Sequence, residues 1–169
     1  MEDRIVNAAQ RAFSARLKGS SDVSKNTKNA QAIAKAWRGA VYELDPGRFE
    51  IEAMVAPNLD QKFDVVDRST RRAYEFKVSG KNAWAEFYKD IVKVIIRNQG
   101  HSKNKLSGLV FITDEEHGRP FLDKPMPRAY IKYLAKEGLK VSVEFVKHAK
   151  QPVRARMGLL RVASRRIKS

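Results

Sequence analysis

The stretch from Gln61 to Val78 constrains the fold of this chain most. Gln61-Lys62-Phe63-Asp64-Val65-Val66-Asp67 and Arg72-Ala73-Tyr74-Glu75-Phe76-Lys77-Val78 are apolar-rich runs on either side of the polar Arg68-Ser69-Thr70-Arg71. β-Branched and aromatic residues bounded by such a turn read as an antiparallel hairpin. Side chains alternate faces along a strand, so Glu75 and Lys77 project together while Tyr74, Phe76 and Val78 face the other way. The apolar set can cover a core and leave the charged face open, and the hairpin brings Asp64 beside the second strand. Asp67 falls on the face opposite Asp64 in a regular strand and is left out of that group.

Two carboxylates and an ammonium on one sheet suit a definite chemistry. Mg²⁺ takes hard oxygen ligands, commonly one or two carboxylates with waters and phosphate oxygens. It lowers the pKa of a bound water and polarises a phosphodiester. Lys77 is placed to position that water or to offset charge on the phosphate. The bare string is weak evidence, because Asp60-Gln61-Lys62 repeats it with Asp45 upstream. Asp45-Pro46-Gly47 and Pro57-Asn58 are turn sequences, however, so only Asp64, Glu75 and Lys77 all sit among strand residues. The bland alternative is a surface hairpin whose Glu and Lys form an exposed cross-strand pair.

Asp64, then Glu75-x-Lys77, resembles the motif of the PD-(D/E)XK nuclease superfamily, and the hairpin is similar in style to small Type II restriction endonucleases of the PvuII kind. Phe63 stands where the motif often has proline. The resemblance implies a restriction-endonuclease-like core, catalysis by Asp64, Glu75 and Lys77, and Mg²⁺ held by Asp64 and Glu75, with Mn²⁺ able to substitute. It also implies a DNA substrate, double-stranded or branched, and a homodimer for double-strand cleavage. Glu43 resembles the helix-borne acid that some members add. Glu52 lies on a strand that can neighbour Asp64, as a further ligand or as a surface residue. The helix after the motif lacks the Gln-x-x-x-Tyr arrangement of RecB-like exonucleases.

The order of elements follows from periodicity. Ile5, Ala8, Ala9, Ala12, Phe13 and Leu17 predict a first helix closed by Gly19, and a polar connector runs to Asn26. Ala30, Ile33, Ala34, Trp37, Val41 and Leu44 make the stripe of a second helix, ended by Asp45-Pro46-Gly47. Phe49 to Val55 alternates as a strand before the hairpin. Asn82–Asn98 reads as a helix, Leu106–Thr113 as an apolar strand, Asp114-Glu115-Glu116 as an acidic loop, Pro127–Lys136 as a helix and Leu139–Val146 as a strand. The expected architecture is α/β, a mixed sheet flanked by helices in αβββαβ order. To it are added an N-terminal helix (residues 1–19) before the core (27–146) and basic strands in a C-terminal extension (147–169), all in one domain spanning 1–169.

The partner is written in the charge. Lys and Arg number 34 against 19 acids, a net charge of +15, and no acid follows Glu144. Arg4, Arg11 and Lys18 recur every seven residues along one face of the first helix, and Arg154, Arg156, Arg161, Arg165 and Arg166 crowd the C-terminus. Val153, Ala155 and Met157 alternate with arginines there, as in a strand. Such stripes attract phosphates and make binding salt-dependent. There is no cysteine, so disulfides and thiol catalysis are excluded. His101, His117 and His148 are scattered and read as loop histidines rather than a zinc cluster. No apolar run approaches a membrane span or a signal peptide, so a cytoplasmic or nucleoid-associated protein that is not secreted is expected. The functions in contention are a restriction-type endonuclease, a Holliday junction resolvase or repair or phage nuclease of the same superfamily, and a non-catalytic basic nucleic-acid binder.

Overall fold

The computed structural model describes residues 1–17, 27–79, 82–100 and 105–148. Along them run α1 (Glu2–Leu17), α2 (Thr27–Tyr42), β1 (Phe49–Met54), β2 (Lys62–Asp67), β3 (Arg72–Lys77), α3 (Ala83–Gly100), β4 (Gly108–Asp114), α4 (Glu115–Leu122), α5 (Pro125–Lys136) and β5 (Lys140–Val146). Lys18, the connector at 19–26, His101 and the whole arginine-rich stretch with Arg154, Arg156, Arg161, Arg165 and Arg166 lie outside the described residues, as do the expected C-terminal strands.

The strands form one sheet in the order β1-β2-β3-β4-β5. β1, β2 and β3 are an antiparallel meander, whereas β3, β4 and β5 are parallel. Parallel neighbours need crossovers, and α3 and then α4 with α5 supply them. β4 is buried along its whole length, which is why Gly108-Leu109-Val110-Phe111-Ile112 carries almost no polar residue.

Each face of the sheet carries its own apolar layer. α1 and α2 place Ile5, Phe13, Ile33 and Trp37 on Val65, Tyr74, Phe76 and Val110. On the other face Phe87, Ile91, Leu122 and Leu134 from α3, α4 and α5 meet Phe63, Ala73, Leu109 and Phe111. The buried Trp37 indole donates to the Ile5 carbonyl at 3.2 Å, which locks α1 to α2. This is the expected mixed sheet flanked by helices.

One element departs from the reading of the sequence. Asp114-Glu115-Glu116 is not a loop: Asp114 is the N-cap of α4, its carboxylate accepting the Glu116 N–H at 3.3 Å, and Glu115 and Glu116 form the first turn. Acids there are favoured by the helix dipole and by the unpaired N–H groups. Gly118 lets α4 lie close on β4, since a Cβ at this position would sit 2.4 Å from Thr113 Cγ2. Among the described residues no helix is long and apolar enough to cross a membrane.

Candidate active site

The β2–β3 ladder runs through Val65↔Tyr74, Val66↔Ala73 and Asp67↔Arg72, and Asp64 lies just beyond it. There the Asp64 side chain does the work of the missing partner strand: its Oδ2 accepts the Phe76 N–H at 2.9 Å. The strands are irregular at this level. Phe63 and Val65, two residues apart, pack in opposite core layers, as do Phe49 and Ala53 on β1. Between the latter two, Glu52 has φ +52°, a left-handed conformation that a non-glycine residue adopts at a cost of about 1–3 kcal/mol. Glu52 and Asp64 share one guanidinium, with Arg38 Nη2 3.2 Å from Glu52 and Nη1 2.9 Å from Asp64.

Glu75 and Lys77 point to the same face, but that face is not open as the sequence suggested. α3 covers it, leaving Glu75 1 % exposed. Each carboxylate oxygen of Glu75 meets an ammonium, Oε2 that of Lys77 at 3.0 Å and Oε1 that of Lys93 at 2.6 Å. Lys77 also lies 3.0 Å from Asp90 and 3.3 Å from Glu86. Lys93 Nζ has a second and third oxygen neighbour, Asp90 Oδ1 at 2.8 Å and the Lys62 carbonyl at 2.9 Å. Burial pushes the Glu75 carboxyl up, opposed by Lys77 and reinforced by Asp90 and Asp64, to about 7. Burial alone would lower Lys77, yet Glu75, Asp90 and Asp64 outweigh it and raise the ammonium above its ordinary value.

The site is rich in carboxylates, the oxygen ligands a hard divalent cation prefers, although among the described residues no three of them bring oxygens within 4.8 Å of one another. Glu52, Asp64, Glu75, Glu86 and Asp90 are five carboxylates against the four cations Arg38, Lys77, Lys89 and Lys93, an excess of one carboxylate. Both Asp90 oxygens are buried and meet ammonium groups without hydrogen-bond geometry. A Mg²⁺ at Asp64 and Glu75 would take their carboxylate oxygens in exchange for the Arg38, Lys77 and Lys93 contacts these now make.

The hairpin thus brings Asp64, Glu75 and Lys77 to one locality, and Glu52 joins it through Arg38. Glu43 is exposed just past α2. It lies five residues from Arg38, about 140° around the helix axis, so α2 offers the site a cation instead of an acid. Arg4 and Arg11 are exposed on α1. Asp67 is buried away from the site, bound by Arg48 at 2.7 and 2.9 Å and accepting the Ser69 N–H at 3.0 Å to shape the turn.

Glu86, Asp90, Lys93 and Arg38 were not anticipated. Asp90 carried a signal: with Phe87, Ile91 and Val94 it falls on the buried stripe of α3, where a charge needs a partner. Arg38 carried none, being one more charge on a helix of a basic protein. Compared with protein-family models, curated protein sequences and solved structures, the chain finds no match.

Proposed function

We propose that this protein is a Mg²⁺-dependent DNA endonuclease of the PD-(D/E)XK type, with Asp64, Glu75 and Lys77 as its catalytic residues. The observation that carries the reading is the meeting of Asp64 and Glu75-x-Lys77 where β2 parts from β3, in a network with more carboxylates than cations. Asp64 and Glu75 would hold the metal. When bound, Mg²⁺ supplies Lewis-acid activation of water and of the scissile phosphate. Lys77 orients the attacking water or neutralises the phosphate, and Glu86 and Asp90 hold its ammonium in place. Lys93 is a positioning residue that fixes Glu75 from behind. Arg38, whose Nη atoms pair with Glu52 and Asp64, adds a fixed positive charge beside the same spot.

The charge of +15 supplies sequence-independent attraction for DNA, to which the exposed Arg4 and Arg11 contribute. On the helix that carries Glu86, Trp84 and Tyr88 line an apolar groove with Phe121 and Met126, a surface on which bases could stack. A homodimer follows from the task of cutting both strands. One observation favours a non-catalytic nucleic-acid binder instead: the oxygens of Asp64 and Glu75 already have N–H or ammonium partners.

Incubation of supercoiled plasmid with Mg²⁺ at low salt separates these readings, comparing wild type, wild type with EDTA, Asp64→Asn and Lys77→Ala. The expected result is cleavage by wild type alone, with Lys77→Ala slowed at least about 100-fold. Discrete fragments favour a restriction enzyme, and nicking or cutting of branched DNA favours a resolvase or repair nuclease. DNA that is bound but left intact, even when branched and with Mn²⁺, gives the case to the non-catalytic binder.

A further inference from the structure

Two histidines that are 31 residues apart meet at a single buried carboxylate. Asp114, 2 % exposed at the end of β4, has His117 Nδ1 2.5 Å from Oδ2 and His148 Nε2 3.2 Å from Oδ1. His148 Nε2 is also 3.9 Å from Glu116 Oε2, and donor atoms of Asp114, Glu116 and His117 all lie within 4.8 Å of one another. The donors come from three places: the end of β4, the first turn of α4 and the segment after β5.

The supports of His148 are as specific as its contacts. The Phe13 ring meets the imidazole edge-on at 4.9 Å between centroids. The Gln10 side chain clamps the backbone beside it, donating to the Lys147 carbonyl at 2.9 Å and accepting the Lys147 N–H at 2.8 Å. The nearby cations are occupied elsewhere, Lys147 and Arg119 both pairing with Glu115.

We propose that Asp114, Glu116, His117 and His148 form a binding site for Zn²⁺ or a similar divalent transition metal, independent of the nuclease reading. Tetrahedral zinc, with ligands at about 2.1 Å, sets its donor atoms about 3.4 Å apart. The separations of 2.5, 3.2 and 3.9 Å bracket that value, and since His148 stands outside the group of Asp114, Glu116 and His117 within 4.8 Å, loading would draw its imidazole inwards. Imidazole nitrogen selects zinc, cobalt or nickel over Mg²⁺, which prefers oxygen alone. The two imidazole nitrogens and the Asp114 and Glu116 oxygens make a mixed nitrogen and oxygen set.

The ion would tie β4, α4 and the chain after β5 together. His148 is the last residue of the tie, and beyond it the sequence carries Lys150, Arg154, Arg156, Arg161, Arg165, Arg166 and Lys168 with no acid. Metal binding would therefore fix the point from which the basic segment departs.

Cobalt titration of the full chain, followed by visible d–d absorption, tests the assignment. With excess Mg²⁺ present to occupy Asp64 and Glu75, wild type should take up one Co²⁺ that Zn²⁺ displaces. His117→Ala and His148→Ala should each bind at least about tenfold more weakly, whereas Asp64→Asn with Glu75→Gln should bind as wild type does. Zn²⁺ should also raise the wild-type melting temperature by mass action and leave that of each folded histidine variant unchanged. Equal uptake by His148→Ala, loss in the Asp64 and Glu75 variant instead, or no zinc-dependent rise in wild type would each overturn the proposal.

Discussion

Replacing Lys93 by Met is the sharpest probe of the charges under α3. The change keeps the length and apolar stem of the side chain and removes one ammonium. That ammonium lies within 2.9 Å of three oxygens, on Glu75, Asp90 and Lys62, in a side chain 8 % exposed. Its loss leaves Glu75 and Asp90 buried with Lys77 as their common counter-ion. Stripping one partner from a buried ion pair costs about 3–5 kcal/mol. For a chain of this size that corresponds to a fall in Tm of about 6–20 °C. Urea unfolding followed by far-UV circular dichroism at pH 7 measures it, with Lys89→Met as control. Lys89 is 52 % exposed and 3.5 Å from Glu86, so its loss should cost no more than about 0.5 kcal/mol. Adding Asp90→Leu to Lys93→Met removes one charge of each sign and restores the balance. The double variant should then be at least about 1 kcal/mol more stable than the two single losses would sum to. A Lys93→Met cost below about 1 kcal/mol, or additivity in the double variant, would refute this account of the buried charges.

Gly118→Ala puts a methyl against Thr113 Cγ2 and should cost about 1–3 kcal/mol, read as a lowered melting temperature. Asp67 gives a pH signature: burial would raise its pKa, but Arg48 and Thr70 hold the carboxyl below its ordinary value. A carboxyl lowered in the folded state contributes stability that is present above the unfolded pKa of about 3.9 and is lost as pH falls through the folded one. Urea midpoints measured at pH 5 and pH 3 should accordingly fall more steeply for wild type than for Asp67→Asn, and parallel slopes would show the pair to be unimportant.

Local pattern carried most of the architecture and little of the electrostatics. The stripe through Ile33, Trp37 and Val41 and the alternation through Tyr74, Phe76 and Val78 are dictated by burial, so they are readable along the chain. α4 was hidden because Gly118 and Pro120 look like breakers, although Asp114 with Glu115 and Glu116 has the composition of a helix start. That Asp64, Glu75 and Lys77 come together was legible because the hairpin is local. Its covering was not, since Asp90 and Lys93 are ordinary charges until α3 docks on the sheet. Arg38 and His148 come from outside the hairpin, 26 residues before Asp64 and 34 after Asp114, and only tertiary packing brings them in. The irregular backbone at Glu52 has no sequence signature, as glutamate is not a residue that asks for positive φ.

The Gln10 clamp on Lys147 spans 137 residues, joining the first helix to the end of the last described strand. During synthesis the ribosome delivers α1 and α2 long before β5. The two helices can pair through Trp37 and Ile5, but the sheet that completes their shelter is still being made. Ala9 and Phe13 must therefore wait, apolar and available to chaperones, until residue 148 has left the exit tunnel. The N-terminal helix is then the last piece to close, and a nascent chain stalled short of β5 should remain open to protease at α1.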